Sequence, residues 1–362
     1  MNRKKLWQIH SWIGLIVGLP LILIALTGSL LVWHDEINNL IMPNSVLVEP
    51  TAEGRLPLNH LKNKAELSFQ DYHPVAWLIH ENPHRSDDIY LWKKGDSEWL
   101  RAFINPYTGE VLHKPIALTE YFMEWLVELH YTFLAGHLGM LMGGIIALLL
   151  CVMAVLGFMI YRKFWLNFFT LRWKKSARVL LADVHSRIGV ISSPIFLLLG
   201  ITGAWWNLTH AITDLYEHGI FDPKETPITE PSYSRPLSLD AMILQAQEHL
   251  PGYQVRFITF PRSKEENFRF FGELPTKNFL RSPYGSTVTF SSDGNTLVST
   301  TDIRTADAWP QIEDTFRKLH FGNFGGLSIK IIWCIVGFAP GVLAMTGFIV
   351  WWKRKKTKSR RR

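Results

Sequence analysis

The chain has 362 residues, 48% of them hydrophobic and only 19% charged, with 38 Lys+Arg against 31 Asp+Glu for a formal charge of +7. Soluble proteins carry about a quarter charged residues, which argues against two soluble domains, and a nucleic-acid binder would need its cations on one surface. The two cysteines, Cys151 and Cys334, both lie in apolar runs, which excludes a disulfide framework, a cysteine-based zinc site and covalent c-type haem attachment.

In chain order, residues 1–33 are predicted as the first transmembrane helix. Arg3, Lys4 and Lys5 precede an uncharged run, 12–33, long enough to cross about 30 Å of hydrocarbon. The run exceeds a typical signal-peptide core, and Val32-Trp33-His34-Asp35 offers no small-residue cleavage site, so an uncleaved anchor is expected. Residues 34–129 are expected to form a small α+β module, with a strand–turn–strand around Asn105-Pro-Tyr-Thr-Gly109 and a mobile polar loop at 81–88. A second helix follows over 130–161, then a basic loop over 162–187 with seven cations against one acid, Asp183. The third helix occupies 188–208. Residues 209–325 form a second α+β module, with a helix from Asp240 stopped by Pro251-Gly252 and a hairpin turn at Ser292-Asp-Gly294. The fourth helix covers 326–352, and 353–362 is a tail of eight cations and no acid.

The charge is strongly divided. Residues 1–5, 161–187 and 353–362 hold 18 cations and one acid, whereas the remainder holds 20 cations and 30 acids. The positive-inside rule places the three basic pieces in the cytoplasm and the two modules on the outer side, in the periplasm of a bacterial inner membrane. That split also removes nucleic acid as a partner and leaves membrane lipid as one.

The chain resembles itself. Gln8-Ile-His10-Ser-Trp-Ile-Gly14 parallels Asp183-Val-His185-Ser-Arg-Ile-Gly189 at an offset of 175, and Thr-Gly follows seventeen residues after each histidine, at Thr27-Gly28 and Thr202-Gly203. At an offset of 190, Leu129-His130-Tyr131 parallels Leu319-His320-Phe321, and Gly157-Phe-Met-Ile parallels Gly347-Phe-Ile-Val. The expected fold class is therefore an α-helical integral membrane protein: four transmembrane helices in two tandem repeats, each repeat carrying one periplasmic α+β module.

Two histidine pairs survive in both copies, His10 with His185 and His130 with His320. Facing imidazoles in a helical bundle can supply both axial ligands of a non-covalently held b-type haem. Gly14 and Gly189 lie one turn after the first pair, so each histidine ends a groove of small residues, which could admit a macrocycle or serve close helix packing. His34, His137 and His210 lie near the outer ends of the spans without a counterpart. His137 is seven residues after His130, on the same face if the helix is continuous, and is a further candidate ligand with His34. About 36 Å of helix separates His10 from His34 at ~1.5 Å per residue, so the two pairs bracket the bilayer as two haems on an electron path. No carboxylate or cation lies within the apolar runs 12–33, 138–160, 188–208 and 331–352, which argues against ion-coupled transport.

His-x-x-x-Gly opening the first span, Leu-His before the second, and the closing Thr346-Gly-Phe-Ile-Val-Trp351-Trp352-Lys353 resemble the PepSY-associated transmembrane family. The segments Asn105-Pro-Tyr-Thr-Gly-Glu-Val-Leu112 and 240–252 are similar to PepSY units. The resemblance implies an iron-regulated inner-membrane protein like the ferric-siderophore reductases, an oxidoreductase with two haems b. It places the haem-iron ligand role on His10, His185, His130 and His320, with His34 and His137 as extras and no catalytic residue beyond the haem. The expected partners are a ferric siderophore and an electron donor that is a quinol, a flavin or a reductase. Two rival expectations stand beside this one: a non-catalytic protein whose modules bind or inhibit a periplasmic partner, and a haem or metallophore permease.

Overall fold

The computed structural model describes residues 2–161, 166, 168–218 and 237–359. Arg162 and Lys163 of the basic loop, residues 219–236 of the second module and residues 360–362 of the basic tail lie outside the described residues. In chain order the elements are α1 (Arg3–Leu31), α2 (His34–Ile41), α3 (Pro43–Val46), α4 (Leu58–Ser68), β1 (Tyr72–Leu78), β2 (Asp87–Lys93), β3 (Leu100–Ile104), β4 (Val111–Ala117), α5 (Phe122–Thr132) and α6 (Gly136–Ile160). There follow α7 (Ala177–His218), α8 (Leu239–His249), β5 (Gln254–Thr259), β6 (Phe268–Glu273), β7 (Ser286–Phe290), β8 (Leu297–Thr301), α9 (Ala308–Phe321) and α10 (Gly326–Ser359). They fall into two compact units: 1–33, 126–223 and 319–362 make one, and 34–125 with 224–318 make the other.

Four helices of the first unit, α1, α6, α7 and α10, are long and apolar enough to cross a membrane. Each of α1 and α7 packs against both α6 and α10, so the four close a ring with α1 and α7 on one diagonal. Small residues let the backbones approach. A Cβ added to Gly18 would lie 3.6 Å from Ala344 Cβ, one added to Gly341 would lie 3.5 Å from Ala25 Cβ, and Gly337 meets Ser29. On the opposite seam Gly200 of α7 meets Cys151 of α6. These residues are 175 and 190 positions from Ala25 and Gly341, so Cys151 stands where the other seam has a glycine.

Boundaries differ from the sequence expectation in the second and third spans, and the fourth helix, α10, continues through Ser359 into the basic tail. The helix expected over 130–161 is two helices, because Phe133 and Leu134 take φ of 54° and 58° and Gly136 takes 54°. Thr132 Oγ1 closes the break by accepting from the Leu134 amide at 3.1 Å. Gly139 is required there, since a Cβ would overlap the Thr132 carbonyl. His130 and His137 therefore lie on different helices, α5 and α6, not on one face. Helix α7 runs well past 188–208 at both ends; its flanks carry Asp183, Arg187 and Asp214, which a hydropathy run excludes although they are helical.

The second unit holds one eight-stranded antiparallel sheet, ordered β4-β3-β2-β1-β5-β6-β7-β8. The two expected modules are thus halves of a single sheet, joined where Ala76, Trp77 and Leu78 of β1 pair with Thr259, Ile258 and Phe257 of β5. Both expected hairpins form, as β3–β4 and β7–β8. Alternate strand residues (Trp77, Ile89, Ala102, Ile258, Phe270, Val288) point to a common core with Leu61 and Ala65 of α4 and Met242 and Ala246 of α8. The two helix starts hold each other. Asp240 accepts from the Leu58 and Asn59 amides at 2.8 and 2.9 Å, and Asn59 Oδ1 accepts from the Leu239 amide at 2.7 Å. The polar stretch 81–88 is not a mobile loop as expected: Arg85, Ser86, Asp87 and Asp88 are buried. Asp87 receives Arg55 at 2.6 Å and Trp77 Nε1 at 2.9 Å on the core face.

Candidate functional site

Three of the four repeated histidines are seated in one way. His130 Nδ1 lies 2.9 Å from Thr27 Oγ1, His320 Nδ1 lies 2.8 Å from Thr202 Oγ1, and His185 Nδ1 lies 3.0 Å from Thr346 Oγ1. In each threonine the hydroxyl is also 2.8 Å from the carbonyl four residues back: Leu23, Leu198 and Val342. A hydroxyl has one proton. Once that proton is given to the helix carbonyl, Oγ1 can only accept, so Nδ1–H must be the donor. This assignment leaves the Nε2 lone pair of each ring for a ligand. Hydrogen bonding of the remote nitrogen is how a metal-binding imidazole is held in one tautomer and one orientation.

The glycine after each threonine completes the seat. A Cβ added to Gly28 would stand 2.8 Å from His130 Cε1; at Gly203 it would stand 3.1 Å from His320 Cε1, and at Gly347 3.2 Å from His185 Cε1. The Thr-Gly pairs visible in the sequence are therefore platforms on which a histidine of another helix rests.

His10 departs from the pattern. The position equivalent to Thr346 is Leu156, which has no hydroxyl, and Gly157 has nothing within 4 Å of an added Cβ. The buried Nδ1 of His10 has no side-chain partner among the described residues and only the Met153 backbone beside it. His10 nonetheless meets its counterpart: the His10 and His185 rings, on the diagonal helices α1 and α7, have centroids 6.2 Å apart and planes at 88°.

That separation fits a shared metal. Two metal–nitrogen bonds of ~2.0 Å put two imidazole centroids roughly 6 Å apart. Among the described residues there is no group of three or more His, Cys, Asp or Glu able to hold a metal ion. A two-histidine site therefore needs the remaining donors from the ligand itself, as a porphyrin supplies in its plane. The chain's donor set fits a b-type haem at His10 and His185, while His130 and His320 are braced as such ligands would be.

The other sequence candidates are placed differently. Gly14 lies against α6, where an added Cβ would be 3.1 Å from Met153 Cε, and Gly189 faces Leu343 at 3.9 Å. His137 Nδ1 is 2.9 Å from Asp214 of α7. His210 Nδ1 is bonded to the Trp206 carbonyl at 2.8 Å, one turn back on its own helix.

His34 belongs to the sheet-bearing unit, with both ring nitrogens engaged: Nδ1 is 3.2 Å from Asp35 and Nε2 is 3.2 Å from Glu124. Both nitrogens of His34, named in the sequence as an extra ligand, are thus engaged by carboxylates. Burial alone would lower its pKa, but hydrogen bonds to Asp35 and Glu124 outweigh that and push it up to about 9. Arg101, buried, joins Glu124 to Asp88, 3.0 Å away. Burial would raise the Glu124 carboxyl, yet His34 and Arg101 hold it below the ordinary carboxylate value. Sequence reasoning missed this network, although two buried acids at 87 and 88 opening a strand were a signal for it.

A family model for the PepSY-associated TM region matches residues 7–354. The chain belongs to the PepSY-associated transmembrane family. No curated protein matches it. Family membership covers the four membrane-spanning helices and the sheet-bearing segments between them together.

Proposed function

We propose that this member of the PepSY-associated family is a bacterial inner-membrane reductase that passes electrons across the bilayer to a ferric siderophore. The observation that carries the reading is the His10–His185 pair, 6.2 Å apart across the bundle, together with the threonine-braced His130 and His320. In this reading His10 and His185 hold one b-type haem and His130 and His320 a second. When bound, these haems supply one-electron transfer. The residues' part is to present a bare Nε2, fix the ring planes and keep water from the iron.

The duplication, the orientation and the substrate belong to the same proposal. The chain is two copies of helix, module, helix, with the basic termini cytoplasmic by the positive-inside rule and the sheet in the periplasm. Hard oxygen chelators bind Fe(III) far more tightly than Fe(II), so adding one electron to the ferric chelate releases the metal, and no general acid or base is needed. The acid excess outside the basic pieces, 30 acids against 20 cations, suits a cationic chelate.

An absorption spectrum and haem count on protein purified from haem-replete cells test the proposal. Two low-spin haems per chain are expected, with one lost in His185→Ala and the other in His320→Ala. A colourless protein would refute it. If the haems are present, proteoliposomes reduced from the side of the termini should then reduce an external ferric siderophore.

A further inference from the structure

We infer that Leu156 makes His10 the exchangeable member of the His10–His185 pair, so that a small neutral ligand can take the place of His10 at that iron while His185 stays bound. The inference rests on the di-haem reading above and deepens it at one site.

At an offset of 175 His10 corresponds to His185 and Gly14 to Gly189; at 190 Met153 corresponds to Leu343, Leu156 to Thr346 and Gly157 to Gly347. The contacts keep that register, since Gly14 faces Met153 as Gly189 faces Leu343. Residue 156 thus occupies, on α6, the place from which Thr346 of α10 reaches His185 at 3.0 Å. Because residue 156 is leucine, His10 Nδ1 lacks the hydroxyl that Thr346 gives His185 and is left with the Met153 backbone alone. The platform is open as well: Gly347 nearly touches its histidine, whereas Gly157 has nothing within 4 Å. Two constraints that hold the other three rings are therefore both missing at His10. An imidazole so placed gains no basicity from a hydroxyl on its remote nitrogen and has room to swing. Outer-shell partners of this kind typically change metal affinity by 10–100-fold.

The defect is local. Thr27 and Thr202 brace both histidines of the other pair, so only the iron near the termini is expected to open. Residue 156 is buried and acts on His10 as a positioning residue.

The test is carbon monoxide binding to the dithionite-reduced full-length protein in lipid nanodiscs, read from the Soret difference spectrum against haem content. Wild type should bind about one carbon monoxide per two haems. Leu156→Thr, whose hydroxyl can lean on the Val152 carbonyl as Thr346 leans on Val342, should weaken that binding by 10–100-fold with both haems retained. Leu156→Ser, which supplies the hydroxyl in less volume, is the second variant should the first fold poorly. Thr346→Val, which frees His185 in the same way, should tighten carbon monoxide binding relative to wild type.

Two haems that bind no carbon monoxide in wild type, or an affinity unchanged in both Leu156 variants, would overturn the inference and leave the di-haem reading standing. Protein that carries no haem at all would overturn both.

Discussion

The Thr-Gly platforms make a prediction that separates seated from unseated histidines: Gly28→Ala should damage the protein and Gly157→Ala should not. At position 28 the new Cβ would stand 2.8 Å from His130 Cε1. Carbon–carbon contacts settle at about 3.5–4.0 Å, so the ring must withdraw by about 0.7 Å. Its Nδ1 is bonded to Thr27, the residue before the glycine, at 2.9 Å, and a retreat of that size stretches the bond toward the ~3.5 Å at which it ceases to count. Overpacking costs about 1–3 kcal/mol, and losing the hydrogen bond costs about 0.5–1.5 kcal/mol. Alanine returns up to ~1 kcal/mol of helix propensity, leaving a net destabilisation of about 0.5–4.5 kcal/mol. At Gly157 an added Cβ meets nothing within 4 Å, so only the propensity gain remains. Gly203→Ala and Gly347→Ala, with approaches of 3.1 and 3.2 Å, should fall between. Thermal unfolding followed by circular dichroism in nanodiscs, with haem content per chain, gives the ranking. Equal stability of Gly28→Ala and Gly157→Ala would refute the reasoning, because it would mean the glycine is not what lets the histidine sit where it does.

Three further outcomes follow from the sheet-bearing unit. Arg101→Met leaves Asp88 and Glu124 without their shared buried cation and should destabilise the unit by about 3–5 kcal/mol in denaturant unfolding; Asp88→Asn in the same chain should recover part of that loss. His34, raised from 6.5 to about 9, contributes stability that is complete below about 6.5 and lost as the pH rises through about 9. The unfolding midpoint of wild type should therefore fall across that window, and that of His34→Gln should fall less. Asp240→Ala removes the acceptor for two α4 amides and should cost about 0.5–2 kcal/mol in the same assay, whereas Asp240→Asn should cost less.

Much of the architecture was legible because the bilayer constrains local sequence so strongly. A span must be apolar over its whole crossing, so the four uncharged runs located α1, α6, α7 and α10. The turn residues of both hairpins were legible for a similarly local reason, since Asn105 and Gly109 or Asp293 and Gly294 fix a chain reversal on their own. The strands β1 and β2 were missed. Tyr72-His-Pro-Val-Ala-Trp-Leu78 does not alternate in hydrophobicity, because both faces of that central strand are covered. Its neighbour opens with two buried aspartates that look like loop residues until Arg55 and Arg101 are placed beside them.

The sequence by itself determined the spans, the division of charge and the identity of the recurring histidines, each written in residues close together or in a repeat. Only the tertiary structure decided what those histidines touch. Thr27 and His130 are 103 residues apart and Thr202 and His320 are 118 apart, so the Thr-Gly pairs could be noticed along the chain but not assigned a purpose. The same holds for His34, engaged by carboxylates one and 90 residues away, and for the union of two modules into one sheet through β1 and β5. A hydrogen bond or a strand pairing is a statement about distance in space, and chain separation does not carry it. Leu156 illustrates both sides: the mismatch with Thr346 stands in the sequence, but it acquires meaning only once His10 Nδ1, left without a hydroxyl, is seen beside it.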